Sequence, residues 1–130
     1  MSKFRVLVGC EEENNVSGLI FVLRRGGWTP KLCLTEDSFF DELHGQTWTA
    51  AILVDSNAMD AQSIVQTYRF SDSRDRDTLF FIATDSPRSL LDANKIPCEG
   101  IFPLDANRIF TALRDAVENR QSGRIAPKLT

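Results

Sequence analysis

Five short apolar runs, Phe4 to Val8, Lys31 to Leu34, Ala50 to Val54, Leu79 to Ala83 and Gly100 to Phe102, are separated by segments too long to be hairpins. Strands spaced this way pair in parallel through crossovers, so the chain is confined to an α/β layer structure with a parallel sheet. Ala50-Ala51-Ile52-Leu53-Val54 is apolar throughout, as a strand covered on both faces must be. The intervening segments carry the helical period. Val16, Leu19, Ile20 and Leu23 form one face that ends at Arg24-Arg25-Gly26-Gly27, the cations and glycine that suit a helix C-terminus. Further helices are expected over Asp37 to His44, Ala61 to Phe70 and Ala106 to Arg120, with a short one around Leu90 and Leu91. Ser71 to Asp77 reads as a solvated loop of mixed charge, and Gln121 to Thr130 as a linker.

At 130 residues the chain is one domain. With 15 basic against 18 acidic residues it carries a net charge of −3, the wrong sign for a domain that neutralises phosphates. Direct nucleic-acid binding and attachment to an anionic membrane are therefore not expected. The apolar runs fall far short of the roughly 20 residues that cross a bilayer. No cleavable signal pattern follows Met1-Ser2-Lys3, and a cytoplasmic location is expected.

The three cysteines, Cys10, Cys33 and Cys98, form no C-x-x-C pair, and His44 is the lone histidine, so a zinc site is not expected. Cys10 precedes Glu11, Glu12 and Glu13. A thiol there is a candidate for redox sensing, although neighbouring anions raise its pKa and quench its reactivity.

In open α/β sheets the site lies beyond the carboxyl ends of the strands. Those positions hold Cys10, Glu11, Glu12 and Glu13 after the first strand and Asp55, Ser56 and Asn57 after the third. Thr84, Asp85 and Ser86 follow the fourth, and Pro103 the fifth. Carboxylates from two strand ends facing a hydroxyl from another suit Mg²⁺, which would let Asp55 accept a phosphoryl group while Thr84 bonds a transferred oxygen. Glu12 and Glu13 read more simply as local helix caps. Asp55 reads as functional, because a charge ending an apolar central strand is costly unless compensated.

Arg5-Val6-Leu7-Val8 runs into an acidic turn, and Ala51-Ile52-Leu53-Val54-Asp55, Phe81-Ile82-Ala83-Thr84 and Phe102-Pro103-Leu104-Asp105 follow in order. In that order and spacing the chain resembles the receiver domain of bacterial two-component response regulators, over about residues 4 to 120. The resemblance implies a flavodoxin-like, doubly wound five-stranded sheet of order 2-1-3-4-5 with helices on both faces. It also implies that Asp55 is the phosphoacceptor, Thr84 the phosphoryl-sensing hydroxyl, Glu11 a magnesium ligand and Asn57 a ligand through its backbone carbonyl. A register slip would bring in Glu12.

The departures point to an atypical receiver. The family's acidic pair falls on Cys10 and Glu11, its lysine on Phe102, and its switch aromatic near Glu99. A phenyl ring replaces neither the charge nor the hydrogen bonds of the lysine. The nearest other cations are Lys95 and Arg108, and the segment from Thr84 to Phe102 leaves room only for a shortened fourth helix. The leading expectation is a receiver-like domain over residues 1–120 with a linker over 121–130. It would be a regulatory protein-interaction module rather than an enzyme, with weak Mg²⁺ binding and weakened or absent phosphorylation.

Its partners would be proteins: a histidine kinase or phosphotransfer protein, an effector domain, or a second copy in a homodimer, with Arg114 and Arg120 as candidate contacts. The alternatives are a working phosphoacceptor at Asp55 and, less favoured, a flavin- or nucleotide-binding enzyme. Gly9 stands alone, without a phosphate-binding glycine motif. Trp28 and Trp48 are expected in the core ahead of an interface.

Overall fold

The computed structural model describes residues 4–56, 59–70, 78–84 and 98–121. Five strands, β1 (Arg5–Gly9), β2 (Thr29–Cys33), β3 (Ala50–Val54), β4 (Leu79–Ala83) and β5 (Gly100–Phe102), form one sheet in the order β2-β1-β3-β4-β5. Every pairing is parallel. The helices are α1 (Ser17–Arg25), α2 (Glu36–Gly45), α3 (Ala61–Phe70) and α4 (Ala106–Gln121). This is the flavodoxin-like 2-1-3-4-5 arrangement expected from the sequence. The shortened helix expected around Leu90 and Leu91 lies outside the described residues.

Alternation along each strand divides the core in two. Val6, Val8, Ala50, Ile52, Leu79 and Phe81 face Leu19, Leu23, Ile109, Leu113 and Val117 of α1 and α4. Leu7, Ala51, Leu53, Phe80 and Ile82 face Phe39, Leu43, Ile64, Val65 and Tyr68 of α2 and α3. Burying a side chain of this kind contributes roughly 1.5–3 kcal/mol relative to leaving it exposed. Both tryptophans belong to the core: Trp28 packs on Phe4 at 4.7 Å between ring centroids, and Trp48 donates its indole N–H to the Glu42 carbonyl at 2.8 Å.

Caps fix the helix starts. Thr35 Oγ1 accepts from the Ser38 N–H at 3.1 Å, Asp60 Oδ1 from the Ser63 N–H at 3.0 Å, and Asp105 Oδ1 from the Asn107 and Arg108 N–H groups at 3.0 and 3.2 Å. α1 ends at Gly26-Gly27, where Gly27 takes the positive φ of 88° that a side chain would resist.

Some boundaries differ from the sequence reading. β1 runs one residue further, to Gly9, and β2 begins two residues earlier, at Thr29. Pro30 is tolerated because β2 is an edge strand bonded only to β1. A 3-10 turn, Glu13–Val16, precedes α1. Glu12 stands at its N-cap without a side-chain cap bond, so the expectation that Glu12 serves as a local cap is not met. Glu13 occupies the first turn.

Candidate functional site

The sheet ladder continues one residue past several strands and thereby sets the site. Asp55 N–H donates to the Ala83 carbonyl at 2.9 Å, Thr84 N–H to Phe102 O at 2.9 Å, and Cys10 N–H to Cys33 O at 3.0 Å. Cys10, Asp55, Thr84 and Phe102 thus lie along one carboxyl edge of the sheet. Asp55 is half-buried, Thr84 is buried, and Glu11 and Glu12 are exposed in the turn that leaves β1. Asn57, Asp85, Ser86 and Lys95 lie outside the described residues.

The Asp55 carboxylate already has a partner. Its Oδ1 accepts the N–H of Ala61, the first residue of α3, at 3.0 Å. Between them, Ser56 and Met59 bond to each other: Ser56 N–H donates to Met59 O at 3.0 Å, and Met59 N–H donates to Ser56 Oγ at 3.2 Å. An anion at a helix N-terminus satisfies an orphan donor and complements the macrodipole. This supplies the compensation that the position of Asp55 demanded on sequence grounds, and it is local.

One prediction follows from that bond. Asp55→Ala removes the acceptor and should cost roughly 0.5–2 kcal/mol, whereas Asp55→Asn keeps an oxygen in place and should cost less. Urea unfolding of the two variants beside the parent chain reads the difference; equal stabilities would show that the bond to Ala61 contributes nothing.

Cys10 is a buried thiol whose Sγ–H donates to the Glu12 carbonyl at 3.1 Å. Burial pushes its pKa up and outweighs that hydrogen bond, with the Glu11 and Glu12 charges adding to the rise. Cys33 is likewise raised, chiefly by burial. Both are protonated core groups at neutral pH, the opposite of what a reactive thiol needs. They lie in the two separate halves of the core.

Phe102 ends β5 at the same edge of the sheet. Its ring stacks on Phe81 at 6.1 Å between centroids and packs with the α1–α4 half of the core. It also folds back over Gly100, lying 2.6 Å from where a Cβ there would stand, so the glycine makes room for it. Arg108 is exposed on α4. Glu99 accepts the Phe80 N–H through Oε1 and donates its own N–H to Phe80 O at 2.7 Å.

Among the described residues the donor set is incomplete for Mg²⁺. That ion demands near-octahedral oxygen ligation and commonly rests on one or two protein carboxylates. Here one candidate, Asp55, is bonded to Ala61, and Cys10 presents sulfur where an oxygen would serve. Among the described residues, no three His, Cys, Asp or Glu side chains gather into a metal-binding group.

No family model and no curated protein matches the sequence. Solved structures do. A sensor protein from Polaromonas sp. JS666 aligns with a TM-score of 0.77 at 18% identity, over 90% of this chain and 98% of that one. The response regulator protein TrrA from Thermotoga maritima, in complex with Mg²⁺ and BeF, aligns at 0.73 and 15% identity, over 90% and 98%. Full-length FixJ from B. japonicum aligns at 0.75 and 18% identity, over 92% of this chain and 60% of that one. This chain has the receiver-domain fold.

On that fold the expected residues Asp55 and Thr84 follow the adjacent strands β3 and β4 at one edge of the sheet, and Glu11 is exposed. Sequence reasoning missed the Ala61 N–H as the partner of Asp55. A backbone donor leaves no signature in residue type, and only the distance from Asp55 to the start of α3 hints at it.

Proposed function

We propose that this chain is an atypical receiver, a signalling module that works through protein contacts, with phosphorylation at Asp55 weakened or absent. The observation that carries this reading is the bond from Ala61 N–H to Asp55 Oδ1, with Phe102, on the strand beyond β4, packed into the core against Phe81. The acceptor oxygen is engaged and the balancing cation is replaced. Missing charge-stabilising groups of this kind cost orders of magnitude in transfer rate. Mg²⁺, if bound, is held weakly through Asp55, Glu11 and the carbonyl of Asn57, and would screen carboxylate from phosphate. The unit spans residues 1–120, with 121–130 as a linker, although α4 itself runs to Gln121.

The role is regulatory rather than catalytic, in the cytoplasm. Partners are an effector domain, a kinase or phosphotransfer protein, or a second copy. Full-length FixJ extends beyond the part that matches this chain, which supports the idea of an effector domain. A working phosphoacceptor is the second reading, favoured by the half-exposed carboxyl of Asp55 next to Thr84 on the neighbouring strand end.

Intact-protein mass after incubation with a small phosphodonor and Mg²⁺, beside Asp55→Asn and a receiver that labels normally, separates the two. The expected result is no phosphoryl adduct on this chain, or one far slower than on the control receiver. Rapid, stoichiometric labelling that Asp55→Asn abolishes would overturn the proposal in favour of the second reading.

A further inference from the structure

Ala61 is the first residue of α3, so its N–H has no partner inside the helix. Proline is favoured at such a position because the helix does not need that N–H. This chain has an alanine there, and the donor it retains is the one that meets Asp55 Oδ1 at 3.0 Å.

The donor is held in place. Ala61 and Met59 are 0% and 1% exposed, and both pack in the α2–α3 half of the core. The Met59 sulfur lies 3.2 Å from where a Cβ on Gly9 would stand, so the end of β1 is shaped to receive it. Asp60 secures the start of the helix, its side chain accepting the Ser63 N–H and its carbonyl the Ile64 N–H, each at 3.0 Å. Asp55 is fixed from the sheet by its own N–H on Ala83 O at 2.9 Å.

An acyl phosphate forms at Asp55 when a carboxylate oxygen gives a lone pair to phosphorus. The phosphorus–oxygen bond of a donor such as acetyl phosphate breaks in the same step, and the electron pair leaves with acetate. The carboxylate thereby loses its own negative charge, which both of its oxygens had shared. A hydrogen bond to a charged acceptor is stronger than one to a neutral acceptor. The Ala61 N–H therefore stabilises the resting carboxylate more than the transition state, in which that charge is already leaving. An interaction stronger in the ground state than in the transition state slows the step.

We propose that the Ala61 N–H is an autoinhibitory contact, which restrains the Asp55 carboxylate from phosphoryl transfer by holding it in its ionised resting state. The inference deepens the reading of Asp55 as a weakened phosphoacceptor and rests on it. It assigns part of the weakness to one backbone donor, apart from the cation that Phe102 does not supply.

The test is a time course of intact mass with acetyl phosphate and Mg²⁺ on the full chain carrying Ala61→Pro, which removes the N–H and suits the first helical position. Because Ala61 is fully buried and a proline ring adds bulk, a second variant carries the α-hydroxy analogue of alanine at position 61. There an ester oxygen replaces the N–H and the side chain is unchanged. Gln62→Pro sets the same ring one residue further on and keeps the Ala61 N–H, and so controls for a disturbed helix start. Both variants that lack the donor are expected to label about tenfold faster than the parent chain, the effect of losing one hydrogen bond to a charged group. Gln62→Pro is expected to match the parent, and adding Asp55→Asn to abolish labelling. A folded ester variant that labels no faster than the parent would overturn the proposal, and so would an equal gain in Gln62→Pro. Labelling of the parent as fast as a normal receiver would overturn the reading of Asp55 and this proposal together. Failure of that reading thus shows in the parent's own rate, and failure of the contact alone in the ratio of variant to parent.

Discussion

Replacing Phe102 by lysine is expected to raise the rate of phosphoryl labelling at Asp55 by about a hundredfold or more. In the transfer, a carboxylate oxygen bonds to phosphorus as the bond to the donor's leaving group breaks, and negative charge gathers on the phosphoryl oxygens. A single well-placed charge or hydrogen-bond donor at such a centre is worth about 10²–10³ in rate. Position 102 stands two strands from Asp55 at the same carboxyl edge of the sheet. Its carbonyl accepts the Thr84 N–H at 2.9 Å, and Asp55 is bonded to the residue before Thr84, also at 2.9 Å.

The substitution gives up the stack on Phe81 and the packing over Gly100. For a half-buried ring that cost is about 1–3 kcal/mol, which a domain holding roughly 5–15 kcal/mol survives. The measurement is a time course of intact mass with phosphodonor and Mg²⁺ for the parent chain, Phe102→Lys, and Phe102→Lys combined with Asp55→Asn. Labelling that rises in the single variant and disappears in the double identifies the missing cation as the main obstacle. No gain in a folded Phe102→Lys would shift the obstacle to the Ala61 bond or the incomplete metal donors.

The central strands were legible to the residue because their composition is dictated from both sides. β3 and β4 lie between other strands and under helices on each face, so every position is apolar and each run stops at a polar residue, Asp55 or Thr84. β2 was misplaced by two residues for the converse reason. As an edge strand it admits Pro30, which argues against a strand, and its alternating burial weakens the pattern. The 3-10 turn at Glu13–Val16 was invisible, since a segment this short has no period to detect.

At the site, residue types told where charge would gather but not what it would touch. Asp55 and Thr84 were found from their place after apolar strands, and the sheet does bring them to one edge. The atom that meets Asp55 is a main-chain N–H of Ala61. The cleft between α1 and α4, lined by Phe21, Arg25 and Phe110, shows the same limit. Phe21 with Arg25, and Phe110 with Arg114, are each readable as i, i+4 pairs on a helix. That α1 and α4 set the two pairs across one cleft is a consequence of the sheet order, in which helices far apart in sequence cover the same face.

The same division of the core leads to a stability result of larger size. Phe80 and Phe81 are consecutive on β4 and point to opposite faces: Phe80 is fully buried against Tyr68, 5.2 Å between centroids, and Phe81 is 2% exposed and stacks on Phe102. Each Phe→Ala change removes transfer energy and leaves a cavity, at about 3–5 kcal/mol. The two rings share no partner side chains, because the sheet stands between their clusters. Their costs should therefore nearly add. A combined loss of roughly 6–10 kcal/mol reaches the whole stability of a typical domain, so each single variant should fold with a lowered urea midpoint while Phe80→Ala/Phe81→Ala stays unfolded without denaturant. A double variant that still melts cooperatively, at no cost beyond the larger single effect, would mean that the two halves of the core are not independently packed. In that case the helices on one face would relax to absorb what is lost on the other.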